Sequence, residues 1–319
     1  MNRHIFGPVL SRRLGRSLGV DLLPFKTCTY SCVYCECGAT SNLTTTRSEF
    51  FPASTVIAEL DQILSKQPEL DYITFAGSGE PTLSLSIGPV ITHIKTKCPR
   101  YSVAVLTNGS LCTQADVRND LLKADLVIPT LTTADQHTFE RIHRPHPSLR
   151  IDTIIIGMEQ FRKMYAGALW LEVFIVPGLN TTAEELAGLK EAIERISPDR
   201  VQLNTLDRPP AEGWVQPAPE AELDRIREAL GTSGIEIISR TLPASRTMVP
   251  DYEAVGMIQA TLRRRPSTIE DLVRTTGMSG GELAKILAAL ERAGMVMSQR
   301  GTRGVFYTFC QKNNANEGT

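Results

Sequence analysis

Cys28-Thr-Tyr-Ser-Cys32-Val-Tyr-Cys35 sets three cysteines at a C-x3-C-x2-C spacing. Three thiolates on one tight loop can hold three corners of an iron–sulfur cubane and leave the fourth iron without a protein ligand. An open iron is what a catalytic centre requires, because a substrate or cofactor can coordinate there. Structural zinc is the competing chemistry. It takes four ligands, usually as two pairs, and no second C-x2-C or H-x3-H pair follows. The chain has seven cysteines, and Cys28, Cys32, Cys35 and Cys37 crowd into one short segment. An odd number clustered in this way points to metal binding rather than a disulfide framework. Cys37 is either an incidental thiol or a transient iron ligand, while Cys98, Cys112 and Cys310 are too scattered for a second cluster.

Such a loop needs a scaffold. Up to about residue 239, apolar runs alternate with amphipathic stretches. Strands are expected at 17–22, 72–76, 102–107, 126–129, 168–176, 200–204 and 235–238. Helices are expected at 54–65, 87–97, 148–164, 182–195 and 220–230, with Ser54 and Thr182 as N-caps. This alternation gives an α/β domain with parallel strands and helices outside, better suited to a partial or complete barrel than to an open sheet. Ligands of such folds sit at the C-terminal ends of the strands. Three segments fall there: Gly77-Ser78-Gly79-Glu80-Pro81-Thr82, Thr107-Asn108-Gly109, and Phe174-Ile175-Val176-Pro177-Gly178-Leu179-Asn180.

The cysteine spacing with Tyr34 before its last member resembles the signature of the radical S-adenosylmethionine (SAM) superfamily. The three strand ends are similar to that family's segments, in its order. The resemblance implies a partial TIM-type (β/α) barrel, an enzyme of oxidoreductase or transferase type, and two cofactors, a [4Fe–4S] cluster and SAM. It implies Cys28, Cys32 and Cys35 as cluster ligands. It further implies SAM contacts at Tyr34, Gly79, Glu80, Thr107, Asn108, Thr132 and Ile175, with the Gly79–Glu80 turn receiving the methionyl amine and the Ile175 strand end the adenine. In the family the reduced cluster splits SAM to a 5′-deoxyadenosyl radical that takes a hydrogen atom from substrate. Phe6-Gly7-Pro8-Val9, Ser11-Arg12-Arg13-Leu14-Gly15, Asn204-Thr205 and Arg208-Pro209-Pro210 resemble the branch grouped with 4-demethylwyosine synthases. Those enzymes carry further cysteines upstream, and this chain has none before Cys28. Thr132 stands where relatives commonly show Asp; it keeps a hydroxyl for ribose or substrate but cannot be a carboxylate base.

Arg12, Arg13, Arg144, Asn204 and Arg208 are candidates for substrate contact. The basic run 140–150 (ERIHRPHPSLR), with Arg141, His143, Arg144, His146 and Arg150, is either a solvated loop or a receptor for a substrate phosphate or carboxylate. Asp207 is expected to pair with Arg208.

Residues 1–240 are therefore read as the barrel domain and the proline-bearing stretch 241–251 as a linker. Residues 252–310 read as a winged helix-turn-helix domain, and 311–319 as a disordered tail. Capping boxes are expected at Ser267/Glu270 and Ser279/Glu282, with strands at 295–297 and 305–309 around Arg300 and Arg303. From Asp251 onward nine Lys and Arg face seven Asp and Glu, a net +2, too little for a strong duplex-DNA footprint. Docking of RNA, peptide or protein is at least as well supported.

The overall charge of −1 attracts no nucleic acid globally. The first residues hold no signal-like apolar run and no stretch is apolar enough to span a membrane, so a cytoplasmic location is expected. A flavodoxin or ferredoxin is the expected reductant. RNA-base modification is the favoured chemistry and a peptide or protein the next substrate. A glycyl-radical activase and an iron–sulfur winged-helix redox regulator are the alternatives.

Overall fold

In the computed structural model, which describes residues 4–231, 234–238 and 251–310, the alternating apolar runs become two separate compact units, Met1–Pro243 and Ala244–Thr319. In the first unit β1 (Ile5–Ser11) and β2 (Gly15–Val20) form an antiparallel hairpin, and the loop that follows carries the two-residue pair β3 (Thr27–Cys28) and β4 (Asn42–Leu43). Then come β5 (Tyr72–Phe75), β6 (Ser102–Thr107), β7 (Leu126–Pro129), β8 (Ala168–Ile175), β9 (Arg200–Thr205) and β10 (Ile235–Ile237). The sheet order is β1-β2-β5-β6-β7-β8-β9-β10, parallel from β2 onward. Among the described residues β1 and β10 remain unpaired edges, so the barrel is partial, as expected for this α/β fold.

Side chains alternate across the sheet. Val103, Val105, Val127, Leu171, Val173, Val201 and Leu203 face outward and form the main core with the helices. The helices are α1 (Ala53–Leu64), α2 (Ile87–Lys97), α3 (Ala115–Leu121), α4 (Gln136–His143), α5 (Ile151–Met164), α6 (Ala183–Ile196) and α7 (Glu220–Leu230). Burying each such side chain contributes about 1.5–3 kcal/mol. The other set faces inward. Leu14, Ala104, Leu126 and Ile128 make an apolar floor. Nearer the strand ends the inward set turns polar, with Glu172 of β8 and Asn204 of β9 joined by a 2.8 Å hydrogen bond.

Several boundaries differ from the sequence expectation. β2 starts at Gly15 and ends at Val20, because pairing with β1 fixes it, and Asp21 N turns to the carbonyl of His4 (2.8 Å). α1 opens at Ala53 behind Pro52 without a side-chain cap, so Ser54 is not its N-cap. Thr182 does cap α6, accepting from Glu185 N. α5 begins at Ile151 rather than 148; the Ile151 amide is taken by Gln136 Oε1 (2.9 Å), and Ser148 bonds to His146 instead. α3 and α4 were not anticipated, and α4 places part of the basic run on a helix capped by Asp135.

The second unit contains α8 (Asp251–Arg264), β11 (Ser267–Thr268), α9 (Ile269–Thr276), α10 (Gly280–Arg292), β12 (Val296–Gly301) and β13 (Gly304–Phe309), with antiparallel sheet order β11-β13-β12. Its own core joins Ile258, Leu262, Leu272, Leu283, Leu287, Leu290 and Val296. The capping box of α9 is Thr268/Asp271, one residue beyond the expected pair: Asp271 N donates to Thr268 Oγ1 and Thr268 N to Asp271 Oδ2, both 3.2 Å. The Ser279/Glu282 box forms as expected. β12 runs on to Gly301, where it closes against Gly304. Residues 241–250 and the tail 311–319 lie outside the described residues. No helix among the described residues is long and apolar enough to cross a membrane.

Candidate active site

The cysteine loop leaves the sheet after β2 and lies against the strand ends of β5 and β6. Two glycines permit this. A Cβ on Gly79 would stand 2.0 Å from the carbonyl oxygen of Thr27, and one on Gly77 would stand 2.3 Å from the Asp21 carboxylate. Their smallness admits the cysteine loop. Main-chain bonds then join loop to turn, from Glu80 N to Thr27 O and from Lys26 N to Ser78 O, both 3.2 Å. On its other side the loop docks on the end of α4, with Val33 N donating to Ile142 O and Ser31 N to His143 O, both 2.9 Å. Tyr34 stacks on Phe174 with ring centroids 3.9 Å apart.

Glu80 is 2 % exposed and its carboxylate is the hub of the strand ends. Oε1 accepts from Thr82 N (3.1 Å), Thr82 Oγ1 (2.6 Å) and Thr107 Oγ1 (2.6 Å), and Oε2 from Asn108 N (2.7 Å). Burial raises its pKa against these bonds. Glu80 thus fixes the turn that carries Asn108 and does not project as a free amine acceptor. Asn108 Nδ2 reaches Thr29 Oγ1 at 2.7 Å and Cys28 Sγ at 3.7 Å.

The sulfurs meet donors from outside the motif. Besides Asn108 at Cys28, His143 Nδ1 lies 3.1 Å from Cys32 Sγ, and Lys26 Nζ donates to Cys35 Sγ at 3.1 Å. Burial pushes the Cys28 thiol up to about 12 and raises Cys32 as well. Cys35 goes the other way, lowered by the hydrogen bond from the Cys37 thiol and by Lys26, so it is the thiolate of that pair. Burial pushes His143 down to about 3, leaving a neutral ring between Cys32 and the Thr132 hydroxyl. Among the described residues no three His, Cys, Asp or Glu groups converge as on a single ion. A cubane takes one thiolate per corner iron, so its ligands need not meet at one point. Three cysteine sulfurs, with an Asn amide, a His ring nitrogen and a Lys ammonium beside them, suit that cluster.

Two of the expected SAM contacts fall elsewhere. Ile175 points outward into the helix-side core, and its neighbour Phe174 is the residue facing Tyr34; one step along a strand reverses the face. The Ile175 carbonyl accepts from Thr205 Oγ1 (3.2 Å). Thr132 is buried with its hydroxyl on His143, so it is not a free ribose contact.

Four of the expected substrate residues share one charged network on the inward face. Arg13 Nη1 pairs with Glu172 Oε1 at 2.7 Å, and Asn204 Nδ2 and Thr130 Oγ1 donate to the same carboxylate. Arg12 approaches Asp207 at 3.8 Å, and Arg208 lies 3.5 Å from Asp207 and 3.3 Å from Glu36. Burial raises the pKa of Glu172, but Arg13, Thr130 and Asn204 outweigh it and hold the group below the usual carboxylate range. Glu36, between Cys35 and Cys37, ties this network to the cysteine loop. Arg144 stands apart, pairing with Glu212. In the second unit, Arg303 grips Asp271 through two bonds of 3.2 and 3.1 Å, so this arginine serves the fold there rather than an open phosphate site. Lys26, Glu36 and Glu172 were missed in the sequence. Lys26 had one available signal, a lysine two residues before the first cysteine.

The family profile described as the radical SAM superfamily matches residues 22–193. A UPF0026 protein of Methanocaldococcus jannaschii is 35% identical over 241 residues, covering 74% of this chain and 74% of that protein. A Brachyspira hyodysenteriae protein described as "GTPase Obg" is 34% identical over 302 residues, covering 93% of this chain but 44% of that protein, so the chain spans less than half of that relative's length. This sequence has no Gly-Lys pair of the kind a phosphate-binding loop requires. Among solved structures, Streptococcus suis SuiB bound to S-adenosylmethionine aligns with a TM-score of 0.51 at 15% identity, covering 68% of this chain and 49% of that one, a likeness of fold.

Proposed function

Since the chain belongs to the radical SAM superfamily, which implies a [4Fe–4S] cluster and SAM, we propose that Cys28, Cys32 and Cys35 are the ligands of that cluster. The observation that carries this is three cysteine sulfurs on one loop at the strand ends, each within reach of a nitrogen from elsewhere in the chain, Asn108 Nδ2, His143 Nδ1 and Lys26 Nζ. A cluster held by these cysteines would supply one electron to the sulfonium of SAM, whose S–C5′ bond would break to give methionine and a 5′-deoxyadenosyl radical for hydrogen abstraction.

The chain's own residues hold and shelter these groups. Glu80 fixes Thr107 and Asn108 beside the cysteine loop, and the Gly79 turn offers main-chain groups at the methionyl end. Tyr34 on Phe174, with Val33, Ile142 and Val176, forms an apolar wall that keeps water from the reacting centre. Arg12, Arg13, Asn204 and Arg208 occupy the inward face beyond it, where a polar substrate would be oriented.

The substrate is read as a nucleobase in RNA, on the likeness of Phe6–Val9, Ser11–Gly15 and Arg208–Pro210 to the 4-demethylwyosine synthase branch. The second unit, with its order of three helices and a terminal hairpin, is read as a winged helix that docks the substrate. A flavodoxin or ferredoxin supplies the electron.

Two measurements test the reading. Anaerobically reconstituted protein is expected to show a [4Fe–4S] spectrum and to release 5′-deoxyadenosine with dithionite, and Cys28→Ala, Cys32→Ala or Cys35→Ala to abolish both while Cys37→Ala does not. Mass spectrometry of tRNA and of the proteome from cells with and without the chain then identifies the substrate. A change confined to a peptide or protein would replace the RNA assignment.

A further inference from the structure

The three donors around the cysteines are not equivalent. Asn108 and the buried His143 are neutral; Lys26 carries a charge. Lys26 is 3 % exposed, and its Nζ stands 3.1 Å from Cys35 Sγ. Its backbone sits at φ +56°, a region that a residue with a Cβ enters only when the surroundings impose it. Here they do: Lys26 N donates to Ser78 O (3.2 Å), and Lys26 O accepts from Asn42 N (3.1 Å). The residue is pinned from both sides, and its stem is directed into the cysteines. Among the described residues no carboxylate lies within ion-pair distance of the ammonium. A buried cation without a carboxylate needs negative charge from another source, and the only source beside it is the ligand set itself.

We propose that Lys26 sets the reduction potential of the cluster, holding it at a higher value by stabilising the extra negative charge of the reduced state. This rests on Cys28, Cys32 and Cys35 being the ligands. Adding one electron makes the cluster one unit more negative, so a fixed cation at a ligand sulfur favours the reduced form over the oxidised one. Net charge and hydrogen bonds to the sulfurs are the protein's main controls over such potentials. A neutral donor in the same place would give the hydrogen bond without the charge, so the two contributions can be separated by substitution.

The test is an EPR-monitored redox titration of the reconstituted full-length protein, without substrate turnover, for wild type, Lys26→Met, Lys26→Gln and Lys26→Arg. Lys26→Met is expected to move the midpoint to more negative potential. At the potential where the wild type is half reduced, its ratio of reduced to oxidised cluster should fall about tenfold, equal to about 59 mV for a one-electron couple. Lys26→Gln, which keeps an N–H donor, should show the same fall, and Lys26→Arg should return the ratio to within threefold of wild type. If Lys26→Met fails to load iron, the Gln and Arg pair decides the matter. A Gln variant with the wild-type midpoint overturns the proposal. A wild-type protein that holds no [4Fe–4S] cluster overturns the ligand assignment instead, so the two failures are distinct.

Discussion

The two sides of the inward face are held together by different means. On the side of β5 and β6, one buried carboxylate, Glu80, gathers the amides and hydroxyls of Thr82, Thr107 and Asn108, and no cation answers it among those partners. On the side of β8 and β9, the carboxylates are answered by arginines: Glu172 by Arg13, Asp207 by Arg12 and Arg208. Short bonds from amides and hydroxyls fix a geometry, whereas an arginine in an ion pair can exchange its carboxylate for a ligand's charge. The first side is thus suited to a cofactor that is always the same, and the second to a substrate that comes and goes.

The largest effect is expected from Glu80→Ala. It leaves the Asn108 and Thr82 amides and two hydroxyls without their acceptor, and unsatisfied buried donors cost about 1–3 kcal/mol each. A loss of roughly 3 kcal/mol in unfolding free energy, read by chemical denaturation of the metal-free protein, should accompany weakened SAM binding. Unchanged stability would mean that this side is not fixed by Glu80 at all.

A smaller loss is expected from Glu172→Gln. The Gln oxygen can stand in for Oε1 and accept from Asn204 and Arg13, while its NH2 group donates to the Thr130 hydroxyl, but Arg13 loses its charged partner, at a cost of about 1–2 kcal/mol. Iron loading and SAM cleavage should persist while substrate turnover falls. Equal loss of iron in both variants would erase the distinction between the two sides. The same residue gives a pH test. Its carboxylate is held below the ordinary value of 4.5 in the folded state, so the stability it contributes is present above pH 4.5 and is lost as the pH falls below it. The difference in thermal midpoint between wild type and Glu172→Gln should therefore shrink below pH 4.5.

Arg12→Ala should matter least to stability, below about 1 kcal/mol, because its contact with Asp207 is long and Arg208 still neutralises that group. Its effect should appear as a raised KM for substrate. A fall in kcat with KM unchanged would remove Arg12 from the binding side.

What could be read from the sequence was what lies close together in it. The Cys28–Cys35 spacing and the Thr182 and Ser279 caps are local, and so are the alternating apolar runs that set the sheet. The Arg13–Glu172 pair spans 159 positions, and the Arg208–Glu36 pair 172, so no spacing rule could join them. Nothing in the sequence sets Lys26 apart from other lysines except its place two residues before Cys28; the bonds to Ser78 and Asn42 that aim it come from distant segments. Register misled twice by a single step, at Ile175 for Phe174 and at Ser267 for Thr268, since one residue along a strand reverses the face or moves a cap.

The fit of Gly79 against Thr27 has a consequence for how the enzyme matures. The bonds that hold the cysteine loop, from Glu80 N to Thr27 O, from Lys26 N to Ser78 O and from Val33 N to Ile142 O, run between peptide groups and need no metal. The sheet and α4 can therefore shape the socket before any iron arrives, and cluster delivery becomes insertion into a standing frame rather than folding around a metal. A side chain at position 79 would wedge that frame open, so a Gly79→Ala chain should fold its sheet and yet mature poorly, with its thiols intact and its irons missing.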